Sequence, residues 1–171
     1  GRYRPSLRIA SQLLDQAGWQ LEGGARKNAS GQTLDIEFLF DDPVSERILG
    51  PYASRLKDLG INAFLRRVDP AEEQERLRRY DFDVMSERFA LPPTPGPEVR
   101  AFWSSEAGRQ DGSYNLAGID DPVVDALIDR IMKAKTRDEL RTACHAIDRV
   151  LRAGHYWVPE WYKDVHTIAT W

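Results

Sequence analysis

TLDIEFLFDDPVSERILGPYASRLKDLGINAFLRRVDPAEEQERLRRYDFDVM, residues 33–85, decides the fold. Its first eight residues alternate, so Leu34, Ile36, Phe38 and Phe40 share one face of a strand with a single buried side. Asp41 and Asp42 before Pro43 form a helix N-cap followed by proline in the first turn. The helix they open carries Val44, Ile48, Tyr52, Leu56 and Leu59, and Gly60 stops it. INAFLRRV, residues 61–68, is a second strand, and a helical crossover between two strands makes them parallel. Asp69 and Pro70 repeat the cap signal ahead of a short charged helix with a solvated face. DFDVM, residues 81–85, is the third strand, so two strand-helix-strand units in succession predict an α/β sheet.

Upstream, Pro5 and Ser6 start a helix in which Leu7, Ala10, Leu13, Leu14 and Ala17 recur at helical spacing, ended by Gly18. WQLEGGARKNASGQ, residues 19–32, is a turn between two short extended segments. Downstream lies a segment too rich in proline and glycine for continuous helix or sheet, with Pro92, Pro93, Pro95 and Pro97 followed by Phe102, Trp103 and Tyr114. Long irregular segments in a compact domain are functional or disordered, and the aromatic residues argue against disorder. Asp120, Asp121 and Pro122 then open a helix with Val123, Val124, Leu127, Ile128, Ile131 and Met132 on an apolar stripe. Thr136 and Glu139 fit a capping box for a last helix running to about Gly154, the two helices packing as an antiparallel pair. HYWVPEWYKDVHTIATW, residues 155–171, is one or two strands with Pro159 at an edge or bend.

The chain has 171 residues, enough for one domain whose core needs no staples, and a formal net charge of -3 from 24 basic and 27 acidic residues. That balance points to no nucleic acid and no acidic membrane as partner. No apolar run approaches the roughly 18 residues that span a bilayer, and the first residues lack the apolar centre of an export signal. Cys144 is the only cysteine, which excludes an internal disulfide and a cysteine-based metal site. It lies on the face of Ala143 and Ile147, as a buried structural thiol does.

Catalytic motifs are absent: there is no phosphate-binding glycine loop, HExxH or GxSxG, and His145, His155 and His166 are scattered. A non-catalytic protein without metal or cofactor is the expectation. What remains is recognition surface. Phe89, Trp103, Tyr114, Trp157, Trp161 and Tyr162 are groups that line ligand clefts, although Phe102 and Trp157 suit the core better.

The succession LLDQAGW, LDIEFLF, ILGPYASRLKDLGINAFLRRVDPAEEQERLRRYDFDVM, NLAGIDDPVVDALIDRIMKAKTRDELRTACHAIDRVL and YWVPEWY resembles the C-terminal lobe of the family 5 extracellular solute-binding proteins. The LxxLGI element running into a strand, the FDV strand and the NxxGxxDPxVDxLI helix start carry most of the likeness. FWSSEAGRQDGSYNLAGIDDP and VPEWY look most like the branch for oligopeptide and microcin C uptake. The resemblance implies one lobe of a periplasmic-binding-protein-like (type II) fold, with a mixed sheet flanked by helices. Residues 1–171 would be a single domain, the C-terminal lobe excised from a two-lobed periplasmic receptor of a bacterial ABC importer. The receptor would close by a hinge on a peptide or oligopeptide and deliver it to a membrane permease, with the N-terminal lobe and the export signal outside this chain.

In relatives, an aspartate a few residues after the FDV strand pairs with the peptide's amino terminus, and an ungapped match puts Pro92 there. The resemblance therefore implies a longer or modified peptide, held by backbone hydrogen bonds and by apolar contacts with Phe89 and Leu91. Arg88 would meet a carboxylate or phosphate. The expected ligand-facing residues are Arg88, Phe89, Leu91, Pro92, Pro93, Thr94, Asn115 and Trp161. The competing reading is a stand-alone interaction or regulatory domain on the same lobe, using its proline-rich loop against a protein partner.

Overall fold

The computed structural model describes residues 3–89, 92 and 94–159. It divides into two compact units, Gly1–Ala90 and Leu91–Trp171. The first begins with helix α1 (Tyr3–Gln16), which starts two residues ahead of the proline expected to set it. Strands β1 (Gln20–Glu22) and β2 (Ala25–Lys27) form an antiparallel hairpin across the Gly23-Gly24 turn. Strand β3 (Asp35–Phe40), helix α2 (Pro43–Leu56), strand β4 (Asn62–Arg67), helix α3 (Pro70–Arg78) and strand β5 (Val84–Met85) complete the unit.

The order in the three-stranded sheet is β4-β3-β5, with both neighbours parallel to β3 as the helical crossovers require. The register runs from Asp35 opposite Asn62 to Phe40 opposite Arg67, and on the other side pairs Phe38 with Val84. Its central place corrects one expectation: Phe38 and Phe40 are buried as predicted, but Leu39, on the opposite face, is 0% exposed. A strand inside a parallel sheet is covered on both faces, and alternation reveals only one of them. The expected five-residue third strand also shortens to two residues.

Local chemistry sets the helix ends. The Asp42 carboxylate accepts hydrogen bonds from the backbone amides of Val44 (2.8 Å) and Ser45 (3.0 Å), and Asp69 does the same for Ala71 and Glu72 at 2.9 Å each. After a 3-10 turn (Lys57–Leu59), Gly60 closes α2 at φ 81°. A Cβ at Gly60 would stand 2.6 Å from Leu21 Cδ1 and 3.2 Å from the Arg26 backbone nitrogen, so glycine is required by both conformation and space. Phe38, Phe40, Leu49, Ala53, Ile61 and Ala63 form the core of this unit, with Tyr52 edge-on to Phe38 at 5.8 Å.

In the second unit, the segment expected to be irregular contains two short helices, α4 (Glu98–Trp103) and α5 (Ser105–Gly108). The hydroxyl of Ser104 caps α5 by accepting from the Ala107 amide at 3.1 Å. Helices α6 (Pro122–Lys133) and α7 (Arg137–Ala153) follow, capped by Asp121 and Thr136, and Glu139 reaches back to the Lys135 amide. Their facing stripes, Val124, Ile128 and Ile131 against Ala143, Ile147 and Leu151, make a second core together with Val99 and Ile119. Residues 156–159 are irregular, and the strands expected beyond them lie outside the described residues. Among those described, no helix is long and apolar enough to cross a membrane.

Candidate functional site

Strands β3 and β5 both end on the same side of the sheet, and in open parallel sheets ligands gather at the carboxyl ends of strands. Beyond β3 come Asp41 and Asp42, and beyond β5 come Ser86, Glu87, Arg88 and Phe89. Arg88 is exposed, its backbone amide donating to Glu87 Oε1 at 2.6 Å, and Phe89 is 41% exposed. The hydrogen bonds from the Ser45 side chain and backbone hold the Asp42 carboxyl below the usual range, helped by the Val44 amide and the positive charge of Arg88. Glu73 is pushed upward, first by its burial and then by Asp41, Glu87 and Asp42. The positive charge of Arg88 thus lies within electrostatic reach of Asp42, and the partly exposed Phe89 follows it in the chain.

The other expected residues fall differently. Pro92 and Thr94 are exposed, whereas Leu91, Pro93 and Trp161 lie outside the described residues. Asn115 is 1% exposed, and its side chain serves the loop around it. Its amide donates to the carbonyls of Ser104 (3.0 Å) and Ile119 (2.9 Å), and its oxygen accepts from the Ile119 backbone at 3.0 Å. That arrangement fixes the path of the loop into α6 and occupies the group expected to face a ligand.

Trp157 is half-buried and meets Trp103 edge-on at 6.3 Å, while Phe102 packs against the exposed Tyr114 at 5.5 Å. A largely apolar cavity of about 320 Å³ opens among Trp103, Ile131, Cys144, Ile147 and Trp157 in the second unit. Burial pushes the Cys144 thiol up, the behaviour of an inert thiol. Asp121 is spent on a cap, and Asp120 on an ion pair with Arg109 at 2.7 Å. Among the described residues no group of three or more His, Cys, Asp and Glu is placed to hold a metal ion.

Two polar centres have no counterpart in the sequence reading. Arg26, on β2, is 1% exposed. Its guanidinium donates to the carbonyls of Leu59 and Trp19 at 2.9 Å each, to the Asp15 carboxylate and to the Ser11 hydroxyl, tying the hairpin to α1 and to the turn after α2. Arg76, on α3, spans Glu37 of β3 and Asp81 ahead of β5. Neither residue stands out along the chain, because each is defined by partners far away in sequence.

No protein-family model matches the chain. Over 171 residues it is 44% identical to the probable peptide-binding protein YejA of Agrobacterium fabrum, covering 99% of this chain and 28% of that protein. The chain is thus similar to one stretch of a much longer protein. The same organism's peptidoglycan-binding protein YepA is 31% identical over 171 residues, again across 28% of its length. Among solved structures, the oligopeptide-binding protein AppA from Bacillus subtilis, in complex with a nonapeptide, superposes with a TM-score of 0.76 at 19% identity, over 87% of this chain and 30% of that one. The chain therefore spans just over a quarter of the length of these relatives and shares the fold of the matching part of the AppA structure, the α/β lobe that the sequence resemblance implied.

Proposed function

We propose that this chain is the ligand-binding lobe of an ABC-importer solute-binding receptor for peptides, acting in the periplasm without catalysis. Its 44% identity across 99% of the chain to a protein named for peptide binding carries the reading. The lobe is the C-terminal wall of a cleft and closes by a hinge against an N-terminal lobe of the same protein, which hands the ligand to a membrane permease. Arg88 and Phe89 meet the ligand, joined by Leu91, Pro92, Pro93, Thr94 and Trp161. Asn115 contributes by holding its own loop.

Proline at position 92 removes the charged anchor that the family resemblance leads one to expect, and the exposed Arg88 carries the opposite charge four residues earlier in the chain. Peptides presenting a carboxylate or phosphate, oligomeric or chemically modified, fit that exchange better than short peptides held by their amino terminus. The name of the YepA relative, a peptidoglycan-binding protein, points to the same enlarged class.

The test is a thermal-shift screen of the two-lobed protein against unmodified peptides of graded length and against peptidoglycan-derived peptides. A ligand that binds only the native state at about 100 times its Kd adds about 2.7 kcal/mol, a shift of several degrees for a domain of this size. Stabilisation by members of either set is the expected result. A midpoint unmoved by every peptide contradicts the proposal.

A further inference from the structure

Strand β5 is two residues long and pairs only with Phe38 and Leu39 of β3. Three residues after its end comes Arg88, so the place of the proposed ligand-contacting pair depends on how firmly so short a strand is held. Backbone pairing alone is thin for that task, since a strand end with few ladder bonds opens readily.

Side chains complete the ladder. The Asp83 carboxylate accepts the Glu37 backbone N–H at 2.9 Å, taking the role that a strand carbonyl would fill. Arg76 then grips the segment just ahead: its Nε donates to the Asp81 carbonyl at 2.9 Å and to Asp81 Oδ2 at 3.1 Å, while its Nη2 donates to Glu37. The Asp81 backbone amide returns a 2.9 Å hydrogen bond to the Arg76 carbonyl, closing a ring between the end of α3 and the start of β5. One residue earlier, Tyr80 turns the chain at φ 54°, a left-handed conformation that a non-glycine residue keeps only where its surroundings hold it. Glu37 is 13% exposed and also receives Arg66 at 3.2 Å, so the anchor on β3 is itself fixed from two sides. The planar fork of arginine reaches both acidic partners at once, which the single ammonium of lysine does not.

We infer that Arg76 is a positioning residue for Arg88 and Phe89: bridging Glu37 and Asp81, it fixes the register of β5 and hence the point from which the ligand-contacting segment leaves the sheet. The link to a ligand rests on the peptide-binding reading, but the positioning effect is measurable without one. Amide hydrogen exchange is followed by mass spectrometry on the full chain, comparing wild type with Arg76→Met, Arg76→Lys and, as a control on the exposed face of the same helix, Arg78→Met. Both Arg76 variants are expected to speed exchange in residues 82–89 by about ten-fold or more, while residues 36–40 and the helix pair 122–153 keep their protection. Arg78→Met should match wild type throughout.

A generic structural role would instead lower the melting midpoint and deprotect the β3–β4 ladder equally. That outcome overturns the inference, as does wild-type exchange at 82–89 in both Arg76 variants. Arg76→Lys keeps the charge and covers the case in which the methionine variant does not fold; failure of both to fold also overturns it. A receptor that binds no peptide yet shows the localised exchange would defeat the functional reading and leave the clamp standing, so the two failures are distinguishable.

Discussion

Asn115 shows how a residue chosen for its chemistry can be used by its neighbours first. Its three hydrogen bonds to the Ser104 and Ile119 backbones lie in a buried loop, and truncation removes both side-chain bonds to Ile119 and leaves the Ser104 carbonyl with the Gly108 amide. Asn115→Ala is therefore expected to cost about 2–4 kcal/mol in urea unfolding, since each buried group left unpaired costs about 1–3 kcal/mol and relaxation recovers part of it. Unchanged stability would contradict the supporting role. The capping residues were legible at this scale because their chemistry is local: Asp42, Asp69, Asp121 and Thr136 each bond an amide two or three residues ahead. Arg26 was not, because its partners Asp15 and Leu59 lie 11 and 33 residues away and nothing in GGARK distinguishes a buried arginine from a solvated one.

At the scale of elements, hydrophobic period and cap signals gave the longer helices, β3 and β4, and the helical crossover gave their parallel pairing, while the short helices α4 and α5, the sheet's central place for β3 and the brevity of β5 came only from the assembled structure. The two strand departures have one cause, in that alternation reports one face of a strand and says nothing of what covers the other or where pairing stops. Glu37 is the polar consequence. Burial raises its pKa, but hydrogen bonds from Arg76 and Arg66, with their charges, outweigh it and hold the carboxyl below the usual range. A carboxylate lowered on folding contributes stability that is present above its ordinary pKa, near 4.5, and is lost as pH falls through the lower folded value. Stability measured across acid pH should therefore fall less steeply below pH 4.5 in Glu37→Gln than in wild type. A parallel decline in the two proteins would show that the Glu37 contacts have no net linkage to folding.

At the scale of the whole molecule, the fold is shared with part of a known oligopeptide-binding protein. The aromatic count suggested a recognition surface, yet the structure gives Trp103 and Trp157 to each other and leaves Phe89 41% exposed, so number alone did not separate packing from binding. What singles out Arg88 and Phe89 is position: they follow β5 at the carboxyl end of the parallel sheet, where a cleft wall would present them. The chain covers 28% of the YejA protein it matches, and the proposed receptor function depends on the remaining length. The measurement that tests the account most directly is calorimetric titration of the two-lobed protein with a peptide that raises its melting midpoint, repeated on the double variant Arg88→Ala, Phe89→Ala. The account predicts at least a roughly ten-fold weaker Kd, about 1.4 kcal/mol, with the melting midpoint of the free protein nearly unchanged. Undiminished affinity in the double variant would contradict it.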